Sequence, residues 1–467
     1  MRAIMSRWLL LGLWTAALAF WPLVEQAAGQ PAVTVQLPTF GVAIDAQGVL
    51  AVKIFEDPTG RLAAVRREAA KAQLPKNLQA RSPIRKVSLV RLEAAVQAQL
   101  AAGKTLDDAT RYLAGLQRLQ YVFFLPDAKD IVIAGPAEGF AADASGRVVG
   151  LGTGRPVIEL DDLVAALRAY ASRGPAEGFV GCTIDPAPEA MARLQKFQRT
   201  VPHAVAGAEQ VEVGLKIAEG MQIALGLAPI RVFDVSPKSH LAQVLIEADY
   251  RMKLIGLGLE RPPVRFASYF ELLSGANIRA STLQRWWFTP NYECVKVSDD
   301  GLAMELVGEG LQLLTESKLI GPDGRLKSGA PGNRASDTFT AGFTRKYAEM
   351  AQRVPVYAQL RNEVDLLVAA AFLRQQGYAH RAGWKMPVFG NETVMPVQTC
   401  PVPKQAPAAV NAAWRGSRFV AAAGGGVSIR PEEALTSQHV QSDKDGKVAK
   451  LRSQVGTTLP AERWWWD

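Results

Sequence analysis

The chain has 467 residues, 48% apolar and 21% charged, a balance that excludes wholesale disorder and leaves room for two or three domains. Lysine and arginine outnumber aspartate and glutamate by 53 to 44, a formal net charge of +9. The basic residues are dispersed and accompany no recognition motif, which argues against nucleic acid and for acidic surfaces such as anionic lipid or polysaccharide.

Residues 1–29 carry a secretory leader pattern: Arg2 and Arg7 precede the apolar stretch 8–24, and Ala27 and Gly29 place small residues where a signal peptidase cuts. Pro22 interrupts the stretch, which is shorter than the ~20 residues a membrane-spanning helix needs. The expectation is export to the periplasm, envelope or medium, with cleavage near Gly29-Gln30 and no transmembrane segment in the mature chain. Loss of the leader leaves 51 basic against 43 acidic residues, net +8, so an anionic envelope polymer or a membrane surface is the expected partner.

Residues 30–205 read as an α+β region. After the short apolar stretch 32–37, alternation around Asp45-Ala46-Gln47-Gly48 predicts a β-hairpin, with Gly48 supplying the positive φ of the turn. Helices are predicted near 61–72, 87–101 and 106–119 from their 3.6-residue apolar spacing, then strands at 121–125 and 131–134. The segment 139–149 repeats the first hairpin: Gly41, Ala43, Asp45, Ala46 and Gly48 match Gly139, Ala141, Asp143, Ala144 and Gly146 at an offset of 98. Each hairpin leads to a helix, LAAVRREA at Leu62 and LVAALRAY at Leu163, which suggests a hairpin-plus-helix duplication. The hexapeptide GPAEGF, at 135–140 and again at 174–179, reads instead as a reused exit and turn. A strand FVGCTID and a helix over 187–200 follow.

Residues 206–330 form an α/β region: a helix over 209–224, a strand over 230–235 and a long helix over 238–254 with Ser236 as its cap. On that helix Glu247 and Arg251 form an i,i+4 pair. Strands are predicted at 285–288, 292–297 and 302–307. Residues 331–383 give a helical pair, 336–353 and 356–376, and 384–467 reads as a Pro/Gly/Ala-rich, partly disordered tail ending in Trp464-Trp465-Trp466. The three cysteines, Cys182, Cys294 and Cys400, are too far apart for a CxxC motif; they allow one disulfide or three buried thiols.

Familiar catalytic signatures fail on inspection. Gly103-Lys104-Thr105 lacks the upstream glycine of a phosphate loop, GLGTGR at 150–155 ends in Arg and reads as a mobile loop, and Asp443-Lys444-Asp445-Gly446 lacks two calcium ligands and reads as a polar turn. The four histidines have no metal-ligand spacing, so neither a metal site nor a cofactor is expected. His240 and Asp234 lie on the strand-to-helix junction VFDVSPKSH, where α/β sheets place functional groups, although capping is the simpler role there. The densest constellation is Arg285-Trp286-Trp287-Phe288 with Tyr292, Glu293 and Glu305: Trp286, Trp287 and Tyr292 could face a sugar ring, and Glu293 with a second carboxylate could act as an acid pair. Aromatic strands more often build cores.

The segments DIVIAGPAEGF, GRPVIELDDLVAALR, CTIDPAPEAMARLQ, ADYRMKLIGLGLE and RWWFTPNYECVKVSDDGLAMELVGEG, spread over about residues 40 to 380, resemble a family of large exported planctomycete-type bacterial proteins of unknown function. The resemblance implies export and a continuous multi-unit architecture, and it transfers no activity or site residue. The chain therefore reads as a mixed α/β (α+β) exported protein, a non-catalytic envelope-associated binding or structural protein. The alternative is a metal-free hydrolase acting on envelope polysaccharide through paired carboxylates.

Overall fold

The computed structural model describes residues 39–55, 61–170, 174–201, 210–273, 283–316, 333–415, 417–460 and 463–467; the leader and the stretch 32–37 lie outside them. The fold is mixed α+β, built on two open seven-stranded sheets and two separate hairpins. In the first sheet the aromatic strand Leu283–Pro290 lies between Leu311–Thr315, antiparallel, and Ser417–Ile429, parallel. Ser417–Ile429 continues through Val180–Ile184 and Leu227–Phe233 to Gln405–Pro407. The second sheet is centred on Tyr121–Leu125 and Asp130–Ala137, with Ser82–Ser88 and Ala303–Leu306 beside them.

The helix His240–Gly256 packs on the first sheet, and the helix Pro355–Gln375 packs on it and on Leu160–Ala169. Pro355–Gln375 is buried on every side from Val356 to Leu373, the mark of a helix enclosed within a core rather than laid on one. Strands of the first sheet come from three of the expected regions, and Leu37–Asp467 forms one compact unit.

The two related hairpins, Thr39–Ile44 with Leu50–Phe55 and Phe140–Ala142 with Val148–Gly150, turn identically. Asp45 Oδ1 accepts from the Gln47 and Val49 amides at 2.9 and 2.8 Å, and Asp143 Oδ1 accepts from Ser145 and Arg147 at 2.7 and 3.1 Å. Gly48 and Gly146 take φ of +83° and +91°. GPAEGF, by contrast, serves two purposes. In the first copy Glu138 is buried and accepts from Gln117 Nε2 and from the Thr153 amide, which fastens the glycine-rich turn expected to be mobile. In the second copy Glu177 is exposed, and the Ala176 and Glu177 amides donate to Asp234.

The helix expected over 336–353 is two, Arg334–Arg345 and Tyr347–Arg353, and three predicted elements differ more. The helix expected from 87 begins at Leu89, because residues 82–88 form a strand between Asp130–Ala137 and Trp465–Trp466. The helix expected over 106–119 is a single turn, Asp108–Arg111, followed by Leu113 and Ala114 at positive φ. Its apolar spacing is genuine burial of Leu113, Leu116 and Leu119, but the backbone there bonds to the neighbouring strand, with Gln117 N donating to Pro136 O and Gln120 N to Ala134 O. Tertiary hydrogen bonding has overridden local propensity.

The third difference is the tail. Its Ala/Gly run forms the central strand Ser417–Ile429. A Cβ on Gly425 would lie 1.9 Å from Trp286 O, and one on Gly426 would lie 1.9 Å from Cys182 O. Small residues here mark close strand approach, the feature that composition alone reads as disorder. The terminal tryptophans dock on their own chain: Trp465 pairs with Val87 and Trp466 with Lys86, while buried Arg85 lies 4.6 Å over the Trp465 ring and donates to Asp467.

All three cysteines are free thiols; Cys182 and Cys294 are buried and Cys400 is half-buried. Burial pushes the Cys294 thiol up to about 12 and holds the Cys182 thiol well above its ordinary value. A thiol-specific chromogenic reagent should therefore modify Cys400 first in the native protein, with Cys182 and Cys294 reacting after denaturation. Two or more fast native thiols would contradict this packing.

Candidate functional site

The two tryptophans of the aromatic strand are core residues. Trp286 is fully buried against Tyr269 and Phe339 and donates from Nε1 to Ser336 Oγ at 2.7 Å; Trp287 is 8% exposed. Tyr292 bonds Thr289 at 3.0 Å and stacks on His439, Glu293 is exposed, and Glu305 lies between Lys296 at 3.6 Å and the Tyr121 hydroxyl at 3.2 Å. Asp234, at φ +57°, ties down the second GPAEGF loop. These residues do not converge on one cleft with His240.

His240 has a different set of neighbours. The helix expected from 238 starts at His240, and its cap is Ser239, whose Oγ accepts from the Ala242 amide at 3.2 Å, rather than Ser236. The imidazole is thereby fixed at the first helical position, facing the start of Leu160–Ala169. That helix carries Asp161 and Asp162 in its first turn, where the helix dipole favours negative charge, and Glu159 immediately before it. Asp162 Oδ2 lies 2.8 Å from His240 Nδ1, and Glu159 Oε1 lies 3.8 Å from Nε2. Glu363, buried in the middle of Pro355–Gln375, adds a further carboxyl to this group.

Electrostatics follow from that crowding. Burial pulls the imidazole pKa of His240 down, but Asp162 and Glu159 together outweigh it and hold the pKa well above its ordinary value. Burial and then Asp162 hold the Glu363 carboxyl well above its range, and burial raises Glu159 and Asp161. The Glu363 carboxyl hydrogen-bonds to Asp162.

Beside this cluster is a cavity of about 340 Å³. Leu100, Leu106, Val394, Met395 and Pro396 form its apolar wall, and Arg111, Tyr112, Glu159 and Asp161 its polar side. A smaller cavity of about 160 Å³ lies farther along the same helix and includes Asp234, Ser239 and Glu392. Glu159 belongs both to the larger cavity and to the His240 cluster, so a ligand in that cavity would touch the charged group directly.

Residues 182–269 match the family described as protein of unknown function (DUF1598). No curated protein and no solved structure matches the chain. The DUF1598 segment contributes Asp234 and His240, while Glu159, Asp162 and Glu363 come from outside it. The cluster is thus assembled across the edge of the DUF1598 match. Sequence reasoning found His240 and missed its partners. ELDD at 159–162 was a detectable signal, because adjacent carboxylates opening an apolar helix need a reason; Glu363 within EVDLLVAAAF was another.

Proposed function

We propose that the chain is an exported, non-catalytic binding protein of the cell envelope, and that its ligand is met at the cavity beside Glu159. The observation that carries this reading is the junction of an apolar wall with Glu159 and Asp161, carboxyls held above their ordinary range by burial. The leader pattern of residues 1–29 supports export, and the net charge of +8 after the leader supports long-range attraction to an anionic envelope. Binding is favoured over polysaccharide hydrolysis because Trp286 and Trp287 are enclosed in core and Glu293 and Glu305 have separate surroundings. Among the described residues no helix is long and apolar enough to cross a membrane.

The test is co-sedimentation of the purified protein with isolated envelopes. Retention at low salt, weakening as salt rises, is the expected result, and Val394→Trp, which narrows the cavity from its apolar wall, should reduce retention at every salt concentration. Protein that stays in the supernatant at low salt would defeat the envelope reading. Undiminished retention of a folded Val394→Trp variant would remove the cavity from it.

A further inference from the structure

Three donors converge where the helices Leu160–Ala169 and His240–Gly256 begin. One donor atom from each of Glu159, Asp162 and His240 lies within 4.8 Å of the other two. Their arrangement is ordered. Asp162 Oδ2, 2.8 Å from Nδ1, is placed to accept the imidazole proton there, leaving Nε2 to face Glu159 Oε1 at 3.8 Å. A carboxylate on one ring nitrogen that leaves the other for an ion is the arrangement metal sites use to fix a histidine ligand. Two donors each ~2.1 Å from one ion stand roughly 3 to 4 Å apart, so Nε2 and Oε1 already span the required distance.

A second observation points the same way. Asp162 is 3% exposed and Glu363 is 2% exposed, and the Glu363 side chain hydrogen-bonds to Asp162, which helps to fix the carboxylate that orients the imidazole. Buried carboxylate oxygens are costly unless a donor or cation meets them.

We propose that His240 and Glu159 bind one divalent transition-metal ion of the zinc class, with Asp162 as the positioning residue for the imidazole. The mixed nitrogen and oxygen donor set separates this site from magnesium and calcium, which take oxygen ligands throughout. The cavity beside Glu159 gives water, or a donor atom of a ligand, access to the remaining coordination positions. Zinc binding goes beyond the envelope reading and does not depend on it.

The experiment uses the full chain, stripped with chelator and titrated with Zn²⁺ against a competing chromophoric indicator in buffer free of envelope. The expected result is one saturable equivalent at micromolar Zn²⁺. His240→Ala and Glu159→Gln should each abolish it, and Asp162→Asn should weaken it about 10- to 100-fold. His439→Ala, remote from the cluster, should bind as the unmodified chain does. Co²⁺ at the same site should give a visible absorption band that is lost with His240→Ala. Circular dichroism checks each fold, and His240→Gln replaces His240→Ala if the latter does not fold. Absence of saturable binding by the unmodified chain overturns the proposal, as does binding that survives in folded His240 and Glu159 variants. Because no envelope is present, failure here is distinct from failure to co-sediment.

Discussion

Lys253→Met should lower the unfolding free energy at pH 7 by about 3 to 5 kcal/mol, because removing one partner of a buried ion pair leaves the other charge uncompensated. Lys253 is 1% exposed and Asp249 fully buried; Lys253 Nζ donates to Asp249 Oδ2 at 2.6 Å, to Ile184 O at 2.8 Å and to Gly425 O at 3.1 Å. The ammonium thus joins its helix to two strands of the first sheet. Burial, opposed by Lys253, pushes the Asp249 carboxyl up to about 6 from 3.8. A raised carboxyl pKa means that the folded state holds the proton more tightly. The stability from this group is therefore full below about pH 4 and is lost as pH rises through about 6, a difference of about 3 kcal/mol. Without Lys253 the carboxyl rises further, so the deficit of Lys253→Met should shrink as pH falls toward 4. Adding Asp249→Asn should restore much of the loss at pH 7. Urea unfolding at pH 4, 5.5 and 7 reads all three outcomes. A pH-independent deficit, or one below about 1 kcal/mol at pH 7, would contradict a charged buried pair.

Gly425→Ala should be comparably severe, on the order of 4 kcal/mol, through added strain and overpacking. Gly425 takes φ +107°, and its added Cβ would lie 1.9 Å from Trp286 O and 2.7 Å from Trp286 N. Neither backbone atom can move without opening the parallel pairing of Leu283–Pro290 with Ser417–Ile429. Gly446→Ala is the control: φ is +64° with nothing within 4 Å of the added carbon, so only the conformational cost of about 1 to 2 kcal/mol remains. Equal urea midpoints for the two variants would show that close strand approach is not what requires Gly425.

Local patterns made much of the fold legible. Alternation around Asp45 and Asp143 gave both hairpins, and the long helix expected over 238–254 is present as His240–Gly256. What stayed hidden depends on partners distant in sequence. Leu113, Leu116 and Leu119 are spaced like one helix face, but their backbone bonds to the strand Asp130–Ala137. The run from Ala421 to Gly426 looks like linker until Trp286 and Cys182 are brought against it. The candidate site was hidden for the same reason. His240 was visible at its junction, whereas Asp162 stands 78 residues away, and Glu363 is recognisable only once its helix is enclosed.

The strand Ser417–Ile429 has a consequence for the order in which the molecule can be built. It separates Leu283–Pro290 from Val180–Ile184, two strands that precede it in the chain by more than a hundred residues. A polypeptide emerging amino end first must hold both earlier strands with open edges until this late segment arrives. Closure then requires contacts of high sequence separation, which form slowly. For nearly the whole of its synthesis the chain lacks the strand that joins Leu283–Pro290 to Val180–Ile184. The same delay leaves strand edges exposed to other chains, which makes the period before residue 429 appears the time when a chaperone has most to protect.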